Sequence, residues 1–99
     1  WYFDVGNIVL YGWPEQWIRT LGARIVKVDV KEYSRSKCDN EGRWAGFDVP
    51  LMDGDCDWPA VMRALDEIHY AGWMTAELGG GDRAYLTSLA ERMDRIIAS

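Results

Sequence analysis

At 99 residues, with 48% hydrophobic and 13% aromatic side chains, the chain carries enough apolar material for one packed core, which excludes a disordered tail. A formal net charge of −5 argues against a protein that grips a nucleic-acid backbone, since such proteins carry a basic stripe. No apolar run is long enough to span a bilayer and no lipidation signal is present, so a small metabolite is the expected partner.

In chain order, the apolar period switches three times between two and about 3.6 residues, the alternation of successive βα units. The first strand, Trp1-Tyr2-Phe3-Asp4, ends at a turn expected to begin at Gly6-Asn7. Pro14 suits a first helical turn, Trp17, Ile18 and Leu21 fall on one helical face, and Gly22 is a natural stop. In the second strand, Ile25 to Val30, Val26, Val28 and Val30 form one face while Lys27, Asp29 and Lys31 form the other. From Glu32 to Asp55 no periodicity persists, which predicts a long loop of the kind that walls a substrate site. Trp44 and Phe47 within it are candidates for an apolar wall against a sugar face, whereas Trp13, Trp17, Trp58 and Trp73 are expected mainly in the core.

Asp57 can cap the next helix, on which Trp58, Val61, Met62, Leu65 and Ile68 recur at helical spacing, and Gly72 is expected to end it. His69, late in that helix, is placed to complement the helix dipole rather than to ligate a metal. The third strand, Trp73 to Glu77, leads through Gly79-Gly80-Gly81-Asp82 into a last helix with Tyr85, Leu86, Leu89, Met93, Ile96 and Ile97 on its buried side. The glycine triplet is read as a tight turn in preference to a phosphate cradle. Cys38 and Cys56 lack CxxC spacing, and free thiols are favoured over a disulfide.

Asp4, Asp29 and Glu77 each stand where a predicted strand runs out before a helix. In a parallel sheet such residues converge on one rim, and gathered carboxylates repel one another unless a cation neutralises them. Oxygen ligands suit a hard divalent ion, so metal-assisted chemistry is the leading expectation. The rival explanation is that these acids pair with Lys27, Lys31, Arg24 or Arg35, or cap helices. Lys31 and Arg35 are themselves placed to bind a sugar hydroxyl or phosphate, or to stand as solvated loop charges, and both readings stay open.

Five ordered motifs carry a resemblance: Tyr2-Phe3-Asp4-Val5-Gly6-Asn7, Trp17-Ile18-Arg19-Thr20-Leu21-Gly22, Val28-Asp29-Val30-Lys31-Glu32-Tyr33, Asp53-Gly54-Asp55-Cys56-Asp57-Trp58 and Gly72-Trp73-Met74-Thr75-Ala76-Glu77. Together they resemble the C-terminal part of the sugar phosphate isomerase/epimerase family, xylose isomerase-like (β/α)₈ TIM barrels that include the ketose 3-epimerases. The resemblance implies an α/β fold in which residues 1–99 supply βα units six to eight of a single barrel, as a piece of a longer protein. It further implies a divalent metal (Mn²⁺, Mg²⁺ or Co²⁺) and proton transfer through an enediolate on a small ketose or aldose, phosphorylated or not. Asp4 then matches the strand-six metal aspartate, and Glu77 the strand-eight glutamate that ligates metal and moves the proton.

Two positions depart from that pattern. Asp29 stands where the strand-seven histidine is usual, and Asn7 replaces a histidine that often contacts substrate. Arg35, six residues after Asp29, matches an arginine that supports the substrate or metal site. The implied substrate contacts are therefore Arg35, Lys31, Asn7 and Trp44. The strand-five glutamate that would complete the acid/base pair has no counterpart, so the chain alone is expected to be inactive. The alternative is a catalytically silent barrel remnant or carbohydrate-binding module, with Asp29 marking lost metal ligation. A DNA-repair endonuclease on the same fold ranks last, because its zinc cluster needs several histidines and this chain has one. A cytoplasmic location is expected, and homo-oligomerisation is left open.

Overall fold

The computed structural model describes residues 2–9, 12–76 and 81–99. Three parallel strands, β1 (Tyr2–Asp4), β2 (Lys27–Val30) and β3 (Trp73–Ala76), form a sheet in the order β1-β2-β3. The register pairs Phe3 with Val28 and Asp4 with Asp29, then Val28 with Met74 and Asp29 with Thr75. Alternation along each strand therefore sorts the sheet into two unlike faces. Phe3, Val28 and Val30 are fully buried on the outer face, each worth about 1.5–3 kcal/mol of hydrophobic burial. The inner face carries Tyr2, Asp4, Lys27, Asp29, Trp73 and Thr75, and its aromatic residues are largely uncovered by the described chain: Tyr2, with the Lys27 ammonium 5.5 Å from its ring centroid, is 70% exposed and Trp73 79%.

Helices α2 (Pro14–Leu21) and α4 (Trp58–Glu67) pack against each other over the outer face. They contribute Ile18, Leu21, Trp58, Val61, Ala64 and Leu65 to the core. Pro14 opens α2 with its preset φ, and Gly22 closes it at φ 53°, its N–H returning to the Ile18 carbonyl. Asp57 caps α4 by accepting from the Ala60 N–H at 3.1 Å. Arg19 of α2 reaches Glu67 of α4 at 2.6 Å, and that contact holds the Glu67 carboxyl below its usual range.

Several sequence expectations are corrected here. The turn at Gly6-Asn7 is a five-residue helix, α1 (Val5–Val9), which starts as β1 ends. Gly6 is needed there because a Cβ would lie 2.8 Å from the Lys31 carbonyl oxygen. The expected loop of 32–55 contains α3 (Arg35–Glu41) and a 3₁₀ turn (Trp44–Phe47). α3 lacks an apolar stripe and is held from outside: Ser34 Oγ caps the Lys37 N–H, the Lys37 ammonium donates to the Asp48 carbonyl, and Asp55 accepts the Arg35 N–H.

α4 ends before Gly72, because His69 adopts φ 57° and supplies the left-handed residue itself. The N–H groups of Tyr70 and His69 return to the carbonyls of Leu65 and Asp66, closing a Schellman motif. On α5 (Arg83–Ala98), capped by Asp82, Ile96 is buried and Leu89 and Met93 pack on the core, while Tyr85, Leu86 and Ile97 are exposed. Of the tryptophans expected in the core only Trp58 lies there; Trp13, Trp17 and Trp73 are exposed. Trp73 falls on the inner face of the sheet, Trp13 precedes α2 at its N-cap, and Trp17 is outside the buried set of α2, which is Pro14, Ile18 and Leu21.

Candidate functional site at the strand ends

The parallel register brings Asp4 and Asp29 directly opposite one another at the C-terminal ends of β1 and β2, on the inner face. Each carboxylate has a lysine: Lys31 Nζ lies 3.3 Å from Asp4 Oδ2, and Lys27 Nζ 3.2 Å from Asp29 Oδ1. Both aspartate side chains are only 14% exposed. Asp4 also accepts the Asn7 N–H at 3.0 Å, so it caps the first turn of α1, and Asn7 itself is exposed. Glu77, the third expected acid and the expected catalytic residue, lies outside the described residues, as do Gly79 and Gly80. Among the described residues no group of three or more His, Cys, Asp or Glu side chains is placed to hold a metal ion.

Phe47 stands beside this charged pair. The Lys31 ammonium is 5.3 Å from its ring centroid, Tyr33 meets it edge-on at 4.6 Å, and Trp44 stacks on it at 6.2 Å. Trp44 is thus an exposed outer leaf on the half-buried Phe47, which is backed by the buried Tyr33. Tyr33 donates its hydroxyl to the Arg43 carbonyl at 2.8 Å, and desolvation followed by the neighbouring Cys38 pushes its pKa up to about 12. Cys38 and Cys56 are both free thiols, and burial together with nearby Glu32 pushes Cys56 upward.

Arg35 is committed elsewhere. Its guanidinium donates to the carbonyls of Val9 and Gly12, both at 2.8 Å, and lies 4.0 Å from the centroid of the Trp13 ring. His69 sits at the far end of α4, where it shapes a helix terminus. A cleft of about 360 Å³ opens between residues 47–51 and α5, lined in part by Phe47, Leu51, Tyr85, Leu89 and Arg92, and it contains neither aspartate.

Glu32 is a residue that the strand pattern did not single out. It is fully buried, and its two oxygens take four N–H donors: Tyr33 and Cys56 at 3.1 Å on Oε1, Met52 at 2.9 Å and the Trp58 indole at 2.8 Å on Oε2. A buried carboxylate is tolerable only when its lone pairs are occupied in this way. The result is a staple that draws residues 52–58 onto the end of β2. Met52 holds φ 74° to make its bond, and at Gly54 a Cβ would lie 2.4 Å from the Tyr33 carbonyl oxygen. Met52's left-handed backbone costs about 1–3 kcal/mol for a non-glycine residue, an expense that the staple offsets.

Three parallel βα units, with helices on one sheet face and paired acids at the strand C-termini on the other, define a segment of a β/α barrel. Comparison with known proteins agrees: the family model described as xylose isomerase-like TIM barrel matches residues 1–96. The chain belongs to that family. Among solved structures it is similar to a D-tagatose 3-epimerase-like protein, with a TM-score of 0.68 and 21% identity over 96% of this chain and 34% of that one. It is also similar to an L-ribulose 3-epimerase, with a TM-score of 0.59 and 20% identity over 90% of this chain and 27% of that one. The chain thus spans about a third of the length of the structures it matches. No curated protein sequence matches it significantly.

Proposed function

We propose that this chain carries part of the active site of a sugar isomerase/epimerase, with residues 1–99 forming βα units six to eight of one barrel domain. The carrying observation is the placement of Asp4 and Asp29 side by side at adjacent strand ends, on the face that lines a barrel interior. Membership in the xylose isomerase-like family and fold similarity to a D-tagatose 3-epimerase-like protein and an L-ribulose 3-epimerase support the same reading.

The all-oxygen donor set fits a hard divalent cation such as Mn²⁺, Mg²⁺ or Co²⁺, with Asp4, Asp29 and Glu77 as the residues that would hold it. When bound, such an ion would polarise the carbonyl and adjacent hydroxyl of a ketose or aldose. Glu77 would move the carbon-bound proton, leaving an enediolate, and a carboxylate from elsewhere in the whole protein would return it. Lys31, beside Asp4, is placed to meet a substrate oxygen, and Trp44 on its Phe47 base would wall one side of a small sugar or sugar phosphate. Asn7 at the first turn of α1 would offer its amide to a hydroxyl. For Arg35, a supporting role through the chain segments it binds is favoured over direct contact.

The experiment is Mn²⁺ titration of the whole protein by electron paramagnetic resonance. Stoichiometric uptake, reduced by at least about tenfold in affinity on Glu77→Gln, supports the reading. One specific observation favours a second reading, a carbohydrate-binding barrel that has lost its metal. Both aspartates already have lysine partners, and a paired carboxylate has less need of a cation. Absence of Mn²⁺ uptake together with retained sugar binding would establish that alternative.

A further inference from the structure

Trp13 is expected in the core by spacing, yet it is 41% exposed and occupies the N-cap position of α2, and because α2 leads back to the start of β2 this end of the helix lies on the side of the strand C-termini. Its indole forms no cap hydrogen bond there, so helix capping does not explain it. The ring is nevertheless held in place. Arg35 approaches within 4.0 Å of the ring centroid while its guanidinium donates to the carbonyls of Val9 and Gly12, the latter immediately before Trp13. The backbone N–H of Arg35 is in turn fixed by Asp55. One planar cation therefore ties the segment after α1 to the start of α3, and the orientation of the indole is set by that tie.

A half-exposed aromatic ring, oriented in advance with Arg35 over one face and lying toward the same end of the sheet as Asp4 and Asp29, has the properties of a stacking platform. A sugar presents a face of C–H bonds with partial positive charge, which complements the negative face of an aromatic ring, and a fixed ring binds without a large ordering cost. We propose that Trp13 is a substrate-binding residue that stacks on a sugar face, and that Arg35 is its positioning residue and does not itself contact substrate. Resting on the isomerase/epimerase reading, this adds a contact and reassigns Arg35.

The test uses the whole protein with a panel of ketoses, aldoses and their phosphates, D-tagatose among them, following turnover of the best-bound sugar and thermal midpoint together. Trp13→Phe keeps an aromatic face, whereas Trp13→Leu keeps apolar bulk without one. The expected result is that Trp13→Leu raises KM by about tenfold with a far smaller fall in kcat, and that Trp13→Phe recovers most of the loss. Arg35→Lys, which cannot reproduce the fork to two carbonyls, is expected to raise KM in the same direction and by less. Equal KM values for the Leu and Phe variants, with only the thermal midpoint lowered, would overturn the platform and leave the epimerase reading standing. A wild-type protein that neither binds nor turns over any sugar of the panel would overturn both.

Discussion

At the scale of single residues, Glu32 shows how a charge becomes structural. It shares the strand phase of Val28 and Val30, so its side chain enters the apolar side of the sheet, where only dense hydrogen bonding makes a carboxylate stable. Each oxygen receives two N–H donors, and the arrangement depends on both being acceptors. Glu32→Gln would turn one oxygen into an N–H₂ group facing two donors. Loss of about 2–4 kcal/mol is expected, read from the denaturant midpoint, and a loss below the error of that measurement would show that the staple is dispensable. Asp29 makes the complementary point. Its phase places it on the inner face, opposite Asp4, so the same kind of side chain is available for chemistry one position after the core valine Val28 and three before the staple.

At the scale of elements, the helix signals that proved sufficient were local ones. Pro14 and Gly22 bound α2, and Asp57 begins α4. The end of α4 was less legible because a histidine does the work usually given to glycine. His69 pays for its φ of 57° through the Schellman bonds and has no need of Gly72. His69→Gly is accordingly expected to stabilise the protein by up to about 1 kcal/mol, seen as a raised thermal midpoint; an unchanged or lowered midpoint would mean that the imidazole makes a compensating contact. α3 lies at the other extreme. Its residues Arg35-Ser36-Lys37-Cys38-Asp39-Asn40-Glu41 show no apolar period, and the helix is fastened by a serine cap, a lysine on a distant carbonyl and an aspartate twenty residues away. Only the serine is local; the other two partners lie eleven and twenty residues away, outside the helix's own sequence.

At the scale of the whole molecule, the described chain has an outer face packed under α2 and α4 and an inner face that leaves Tyr2 and Trp73 in solvent. β1 and β3 are both edges of the three-stranded sheet, and the apolar residues Tyr85, Leu86 and Ile97 of α5 are exposed as well. Unpaired strand edges beside apolar surface favour self-association. The 99-residue chain produced alone is therefore expected to sediment as oligomers in analytical ultracentrifugation, with Trp73→Lys shifting it toward the monomer; a monodisperse monomer at all concentrations would contradict this. The sequence by itself determined the βα alternation, the two faces of β2 and the position of Asp4 and Asp29 at strand ends, because a period of two residues assigns each side chain to a face without knowledge of its neighbours. Only the tertiary structure decided that Lys27 and Lys31 pair with those acids, that Arg35 spends its donors on Val9 and Gly12, and that Glu32 gathers four N–H groups. Apart from Lys27–Asp29 and Tyr33–Glu32, those contacts join residues far apart in the chain, and which donor reaches which oxygen depends on how loops fold back over the strand ends, where no periodicity constrains them.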